Sequence, residues 1–368
     1  MPFRLSTTGQ PKEPSGQRVQ RGWIGGLLLL LWVIPLRGAE IDQIVRKSDG
    51  RTLGGEFKSV SKTEVVVFQR VGNREDPVPA NDIALIEFKG EPAGLISARS
   101  NEKAGNLSQA LDGYQQVLAE ITRNELKGEV EFLIARTAVA VAKADPTQAA
   151  AALAKLQAFV GNYRDHYRFF PAQLLLGELA LASDDAGAAE AAFSLLTTSP
   201  WTDYKLAGRN GQGFSQLLRN NVSAARQIFD EVARATTSTP EETARKLEGM
   251  IGQATCLQLE NDPPGALQIL QQVIEQARAE DTRILALAYL KQGDCYAADP
   301  QQLKAAVLAY LHIDVIPSLA AQGDLHAEAL YQLSRLWPAI NQPGRGAEAT
   351  ARLEQEYPAS EWAKKLAQ

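Results

Sequence analysis

The chain has few of the residues on which disulfide scaffolds and metal sites depend. It contains two cysteines and three histidines in 368 residues, and neither Cys256 nor Cys295 is part of a Cys-x-x-Cys pair. A small scaffold held together by disulfides is therefore excluded, and a zinc site has no support in the sequence. We expect no metal site and no cofactor.

Catalytic motifs are also lacking. The sequence has no His-Glu-x-x-His pair and no calcium-binding loop. The glycines at 208–213 do not follow a strand pattern and do not precede Lys-Ser/Thr, as those of a phosphate-binding loop do. His166, His312 and His326 show no paired arrangement with a nucleophile or with each other. We expect His166 to pack in its aromatic neighbourhood, and we predict that the chain is not an enzyme.

Positive charge is scarce outside the first forty residues. The formal net charge is −5, and the residues before Glu40 carry +4, so that the rest of the chain carries −9. A protein that neutralises nucleic-acid phosphates needs a basic surface. The charge distribution therefore predicts no nucleic-acid partner.

One long apolar run is present, at residues 23–36, behind a basic leader. It is shorter than the roughly twenty residues of a spanning helix and matches the roughly 7–15 residues of a secretory signal. Gly38 and Ala39 suit cleavage, whereas Arg37 stands where a small residue is preferred. Residues 1–39 are therefore predicted to be a signal peptide or an N-terminal membrane anchor. The protein is expected in the periplasm or cell envelope of a bacterium, with membrane association through residues 23–36 if that run is retained.

Residues 40–90 are predicted to form a small all-β domain. Asp49-Gly50 is a hairpin signal between two strand-like runs, and Pro77-Val-Pro79 punctuates the later ones. The segment resembles Sm-like and SH3-like barrels, which implies a structural or docking role, with RNA binding as the less favoured alternative. The strand-like runs, rich in Val, Ile and Phe, are 41–47, 52–59, 64–69 and 83–88.

Residues 91–368 have a repeating helical pattern. Ala and Leu dominate the hydrophobic residues, which make up 45% of the chain, and both favour helices. In each repeat a small residue precedes an Ala, and a large apolar residue follows four positions later. The small residue lets a second helix pack closely, and the large one fills the gap between repeats. The pattern occurs at Gly177–Ala189–Phe193, Gly213–Ala225–Phe229, Ala254–Ala266–Leu270 and Gly293–Ala306–Tyr310.

This pattern resembles that of the tetratricopeptide repeat (TPR) family. The resemblance implies a mainly α protein, an α–α solenoid of TPR-like helix pairs over residues 91–368, preceded by the small barrel-like domain. The alanines that anchor successive repeats are 36, 41, 40 and 41 residues apart, which exceeds the usual period of about 34. Another solenoid of helix pairs therefore stays an alternative.

The repeats also predict the state of the cysteines. Cys256 and Cys295 each follow the small anchor of their repeat by two residues. Equivalent positions on stacked helices lie about 10 Å apart, beyond the roughly 7 Å limit between Cα atoms for a disulfide. We expect two buried, free thiols.

The resemblance implies a concave groove, formed by the first helix of each pair, in which a partner segment binds. The groove positions carried over from the family are mainly apolar with few bases, which favours an apolar or helical segment of another protein. The residues named for this groove are Glu178, Asn210, Phe214, Asp294, Tyr331 and Arg335.

The predicted function is that of an exported protein–protein interaction scaffold. The stretch from Tyr357 to Ala363 resembles the closing turn of cell-envelope TPR proteins that assemble outer-membrane or division machinery. The alternative is a non-catalytic subunit of an envelope enzyme or of an assembly complex.

Overall fold

The computed structural model describes residues 41–366. The predicted signal or anchor segment, residues 1–39, lies outside the described residues. Among the helices of residues 41–366, none combines the length and the apolar character that crossing a membrane requires.

The described chain begins with a five-stranded antiparallel sheet. The strand order is β4-β3-β2-β1-β5, so that β4 and β5 form its two edges. Each strand therefore pairs with its neighbour in sequence, except that β5 returns to lie beside β1. The strands are β1 (Asp42–Arg46), β2 (Thr52–Val60), β3 (Glu64–Gln69), β4 (Arg74–Pro79) and β5 (Ile83–Glu87).

Turn residues fall where the sequence predicts them, and one strand was missed. Gly50, in the predicted hairpin between β1 and β2, has a φ of 66°, which glycine adopts without strain. The prolines Pro77 and Pro79, interpreted as punctuation, lie within β4 and pair with β3. This part of the prediction is wrong because β4 is an edge strand, where a missing backbone donor can face away from the sheet.

Sixteen α-helices follow within the described residues. They are α1 (Ala93–Lys103), α2 (Leu107–Leu118), α3 (Asn124–Ala144), α4 (Ala149–Asn162), α5 (Phe169–Ala182), α6 (Ala186–Thr197), α7 (Thr202–Leu218), α8 (Val222–Ala233), α9 (Pro240–Leu259), α10 (Pro263–Gln276), α11 (Thr282–Ala297), α12 (Leu303–Val315), α13 (Pro317–Ala320), α14 (Gly323–Ala339), α15 (Pro343–Glu356) and α16 (Glu361–Leu366).

The helices stack as pairs in a TPR-like solenoid, as predicted. The pairs are α1/α2, α3/α4, α5/α6, α7/α8, α9/α10, α11/α12 and α14/α15. From α3 onward the first helix of a pair also contacts the first helix of the next pair. Since these first helices approach one another along the array, they form its inner, concave layer, and the second helices form the outer layer.

The turns inside four of the pairs share one backbone conformation. Asp184, Asn220, Asn261 and Asn341 have φ values of 57°, 60°, 61° and 63°. Asp and Asn enter this left-handed region more readily than other non-glycine residues. The polar turns predicted from the sequence are therefore confirmed, and each reverses the chain between a first and a second helix.

The predicted packing of small against large residues is confirmed. A Cβ atom added to Gly177 would lie 2.6 Å from the Phe193 ring, and one added to Gly213 would lie 2.6 Å from the Phe229 ring. The Phe193 ring also occupies the space in which Gly211 of the following pair would carry a Cβ. Each ring therefore fixes the spacing of its own pair and of the next one.

Cys256 and Cys295 are buried and free, as predicted. Burial raises the pKa of each thiol to about 11, so both are protonated at neutral pH. They act as small apolar residues of the core.

The sheet is packed directly onto the first helix pairs. One hydrophobic core runs from Ile44 of β1 to Ala192 of α6. Arg123, which precedes α3, donates to both carboxylate oxygens of Asp42 at 2.6 and 3.0 Å. Its guanidinium also lies 5.6 Å from the centre of the Phe57 ring and 5.1 Å from that of Phe88. The sheet and the array are thus held together by apolar contact, an ion pair and cation–π contacts.

Replacing Gly211 by Ala should destabilise the protein, because the new methyl group would overlap the Phe193 ring. We expect a loss of roughly 1–3 kcal/mol in the free energy of unfolding, the usual cost of overpacking a core. Gly161, near the end of α4, has open space around it, and Gly161→Ala is the matched control. It should stabilise by roughly 0.5 kcal/mol. Equal midpoints of urea unfolding for the two variants would contradict the packing described above.

Candidate partner-binding surface

The concave surface is formed by the first helices α5, α7, α9, α11 and α14. It carries a set of charged side chains that we call the inner charged layer. These side chains contact neighbouring first helices or act on one another across the concavity. The layer consists of Glu178, Arg245, Glu248, Arg283 and Asp324.

An ion pair joins two successive first helices. Arg283 of α11 donates to both carboxylate oxygens of Asp324 of α14, at 3.0 and 2.8 Å. Two parallel hydrogen bonds fix the direction of a guanidinium as well as its distance. The side chains nevertheless stay 45% and 34% exposed, so the pair lies at a surface that water reaches.

A second polar junction joins α7 and α9. The Asn210 amide nitrogen donates to the backbone carbonyl of Arg245 at 2.7 Å and to the carboxylate of Glu248 at 3.2 Å. Arg245 itself donates to Glu248 at 3.1 Å. Glu248 is thus held between two donors, and both polar groups of α9 keep fixed positions on the inner side.

The curvature of the array brings distant pairs within electrostatic reach. Burial acts to lower the pKa of Arg283, but Asp324, and beyond it Glu178 and Glu248, raise it above its ordinary value. Glu178 lies on α5, three pairs before α11. Cα atoms of α14 also come within 8 Å of Cα atoms of α3. The concave surface is therefore enclosed on several sides.

The turn after β1 lies within electrostatic range of two inner helices. Burial and the nearby Arg168 lower the pKa of Lys47, in the turn after β1, while Asp203 and Glu241 act against them. Asp203 and Glu241 lie in the first turns of α7 and α9. Lys47 therefore lies within electrostatic range of α7 and α9.

The six groove residues named from the sequence differ in burial and in the contacts that they make. Glu178 is half-buried on α5 and has no ion-pair partner among residues 41–366. Asn210 is buried, with only 1% of its surface exposed, and its amide joins two repeats. Phe214 packs against Phe229, with 5.0 Å between ring centres. Of these residues, Glu178 is available to a ligand, whereas Asn210 and Phe214 take part in packing.

The other three named residues lie on α11 and α14. Asp294 accepts hydrogen bonds from Tyr310 at 2.7 Å and from Lys291 at 2.9 Å. The Tyr331 ring lies 5.2 Å from that of Trp362 in α16, and the Arg335 guanidinium is 5.6 Å from the centre of the Tyr331 ring. Arg335 is exposed. Asp294 is thus engaged by its own pair, while Tyr331 and Arg335 form a surface with the last helix.

Most of the inner charged layer was missed by the sequence reasoning. The groove positions carried over from the family lie within about one helical turn of the small anchor of each repeat, which for α9 is Ala254. Arg245 and Glu248 lie nine and six residues before that anchor, in the first half of a helix that is 20 residues long. The long repeat period was the signal, because longer first helices extend the inner surface beyond the expected positions.

A buried ion pair lies beside the sheet, and the sequence analysis did not identify it. Arg168 donates to both oxygens of Glu129 of α3, each at 3.0 Å, and the Tyr167 hydroxyl donates to the same carboxylate. Burial acts to raise the pKa of Glu129, but Arg168 and Tyr167 outweigh it and hold the value at about 2. The two partners are 39 residues apart in sequence, so no local sequence pattern predicts that they pair.

His166 packs as predicted, and its hydrogen bonds define its tautomer. The backbone N–H of Arg168 donates to Nδ1 at 3.2 Å, so Nε2 carries the proton and donates to the Glu125 carbonyl at 3.2 Å. Burial lowers the pKa of this histidine. It is a neutral core residue between α3 and α5.

The expectation that no histidine has a paired arrangement is wrong for His326. This buried side chain has Nε2 at 2.9 Å from a carboxylate oxygen of Asp314 and Nδ1 at 2.8 Å from the Tyr357 hydroxyl. Arg352 donates to the same Asp314 oxygen at 2.6 Å. Burial and Glu356 raise the pKa of Tyr357, so this chain of groups ends in a protonated phenol and not in an activated nucleophile. It joins α14 to α15.

The variant Arg168→Met should lose about 3–5 kcal/mol in the free energy of unfolding, because it leaves the Glu129 carboxylate buried without its partner. The double variant Glu129→Leu, Arg168→Met should lose less, since it removes both charges. Urea unfolding of the wild type, the two single variants and the double variant measures the coupling. A double variant less stable than either single one would contradict the pairing.

The same pair predicts an acid dependence of stability. The pKa of Glu129 is about 2 in the folded chain against an ordinary value of 4.5, so its contribution is fully present above about pH 4.5 and is lost as the pH falls toward 2. The free energy of unfolding of the wild type should therefore fall relative to that of the double variant over this interval, because the double variant lacks this carboxylate. A difference that stays constant from pH 6 to pH 3 would contradict it.

Known proteins resemble this chain in structure and not in sequence. No protein-family model matches the sequence, and no curated protein matches it. A tetratricopeptide repeat protein from Parabacteroides merdae is 16% identical over 63% of this chain and 81% of its own, with a TM-score of 0.48. A Rap protein, solved with competence and sporulation factor, is 14% identical over 74% of each chain, with a TM-score of 0.48. PilF from Pseudomonas aeruginosa is 14% identical over 75% of this chain and 95% of its own, with a TM-score of 0.36.

Proposed function

We propose that this protein is an exported, non-catalytic interaction scaffold that holds segments of partner proteins on its concave surface. The observation that carries this proposal is the inner charged layer, whose side chains are surrounded by neighbouring helices and still exposed to water. The Arg283 side chain is 45% exposed although Asp324, Glu178 and Glu248 all act on it. A ligand can replace the water at these charged side chains without a rearrangement of the helices that hold them.

The composition of the surface favours an amphipathic partner. Leu174, Leu181 and Leu217 are half-buried on α5 and α7 and offer an apolar strip. The charged residues of both signs on α9, α11 and α14 lie farther along the array. An amphipathic helix presents an apolar face with charged flanks, and it suits such a surface.

The rigidity of the surface supports the same function. The first helices are held at fixed spacing by buried aromatic rings, and the charged residues are held by paired hydrogen bonds. A preformed surface spends little conformational entropy on binding. The partner segment would therefore order on the scaffold, and not the reverse.

The charge-reversal variant Glu178→Lys should lose its partner in an envelope crosslinking experiment. A bound cationic group would be repelled by the new charge, and because Glu178 lies near Arg245 and Arg283, urea unfolding of the variant checks separately that the fold is retained. We expect at least a roughly tenfold drop in the crosslinked partner, about 1.4 kcal/mol. The matched control Glu354→Lys, on the outer helix α15, should leave it unchanged. An equal yield from both variants would place the partner elsewhere.

Export is tested by the first forty residues alone. Fused to a reporter enzyme that is active only outside the cytoplasm, they should confer activity on bacterial cells. The double variant Leu29→Arg, Leu30→Arg should abolish this activity, since charged residues interrupt the apolar run that export requires. The mass of the mature N-terminus then separates a cleaved signal from a retained anchor. Full activity of the charged variant would refute export by this segment.

A further inference from the structure

A cleft lies between the edge strand β5 and the helices α1 and α3. Its volume is about 340 Å³, near the lower limit of the roughly 300–1,000 Å³ of small-molecule sites. The cleft is therefore suited to a small molecule or a chain end and is too small for a helix. Its charged lining consists of Arg99, Lys103, Arg136, Arg168, Glu102 and Glu129.

Each of the two carboxylates of the cleft accepts three hydrogen bonds from protein donors. Glu102 of α1 accepts from Arg136 at 2.9 and 2.7 Å and from the Tyr114 hydroxyl at 2.6 Å. Glu129 has the equivalent set from Arg168 and Tyr167, as described above. Arg136 and Tyr114 outweigh burial and lower the pKa of Glu102. Both groups are thus ionised, and both oxygens of each carboxylate already accept hydrogen bonds from protein donors.

The basic side chains, in contrast, keep unused donors. Arg136 and Arg168 each bind their carboxylate through Nε and Nη2, and Nη1 of each has no partner among residues 41–366. Arg99 pairs with Glu91 through its Nη atoms, and its Nε is buried without a partner in the same residues. Lys103, at the end of α1, is exposed and forms no ion pair with a described residue.

The net charge of the cleft lining also favours an anionic ligand. Four cations and two carboxylates line the cleft, and Glu91, which lies behind Arg99, leaves an excess of one positive charge. The carboxylate oxygens of the cleft accept hydrogen bonds from protein donors, whereas Nη1 of Arg136, Nη1 of Arg168 and Nζ of Lys103 have no partner among the described residues.

We propose that this cleft binds a small ligand through an oxyanion, a carboxylate or a phosphate group, that accepts hydrogen bonds from Arg136, Arg168 and Lys103. A guanidinium donates in a planar fork that matches both kinds of oxyanion. Ala84 and Leu85 of β5 form the wall on the sheet side. No residue of the inner charged layer lines the cleft, so the proposal does not rest on the proposed scaffold function.

Isothermal titration of the full chain with inorganic phosphate and with succinate tests the proposal. At low ionic strength, where screening is weak, at least one of the two should bind saturably to one site, and the neutral analogue succinamide should not bind. Tighter binding of phosphate identifies a phosphate ligand, and tighter binding of succinate identifies a carboxylate ligand. The absence of saturable binding for both anions would overturn the proposal.

Two matched variants assign the binding to the cleft. Lys103→Gln should weaken it roughly fivefold, the effect of losing one partly screened charge contact, and should leave the fold intact because Lys103 has no ion pair. Lys304→Gln, an exposed lysine of the outer helix α12, should change nothing. Arg136→Gln should weaken binding more strongly than Lys103→Gln. Equal affinities for Lys103→Gln, Lys304→Gln and the wild type would overturn the assignment.

Discussion

The array depends on the insertion of one aromatic ring between two helices that carry glycine at the point of contact. Phe193 of α6 lies against Gly177 of its own pair and against Gly211 of the next, and Phe229 of α8 takes the same place between α7 and α9. One ring thus sets two spacings at once. Because a single methyl group at either glycine would collide with it, the distance between first helices has little freedom.

Curvature follows from this spacing. Successive first helices contact each other closely, while the second helices provide the rings and lie outside. The array therefore bends toward its first helices, until α14 comes within reach of α3. The bend concentrates the side chains of distant repeats, so that Glu178 acts on Arg283 although the two are 105 residues apart in sequence. The chemical character of the concave surface is thus a consequence of packing at the glycine positions.

The features predicted from the sequence are those that local spacing encodes. The helix pairs, their turns and the partners of Gly177 and Gly213 depend on residues within one repeat, and the sequence places them correctly. The inner charged layer depends on how repeats stack and on how far each first helix extends, which no single repeat specifies. His326 shows the same limit, because its partners Asp314 and Tyr357 come from two other segments of the chain.

The sheet follows the same division between local and distant signals. Four of its strands are rich in Val, Ile and Phe and are predicted, while β4 contains prolines that only an edge position tolerates. An edge position is a property of the whole sheet, since it depends on β5 returning to β1 and leaving β4 without a second neighbour. The segment 74–79 could therefore be assigned only after the order of the other strands was known.

The ion pairs of Glu129 and Glu102 determine the orientation of helices more than they determine stability. Apolar side chains of similar volume in place of Glu129 and Arg168 would contribute as much stability or more. A bidentate pair capped by a tyrosine, however, is satisfied in only one arrangement of α3 and α5. The equivalent set at Glu102 fixes α1 against α3 in the same way. These two sets therefore hold the first helices α1, α3 and α5 in one register, and the sheet that packs on them is held with them.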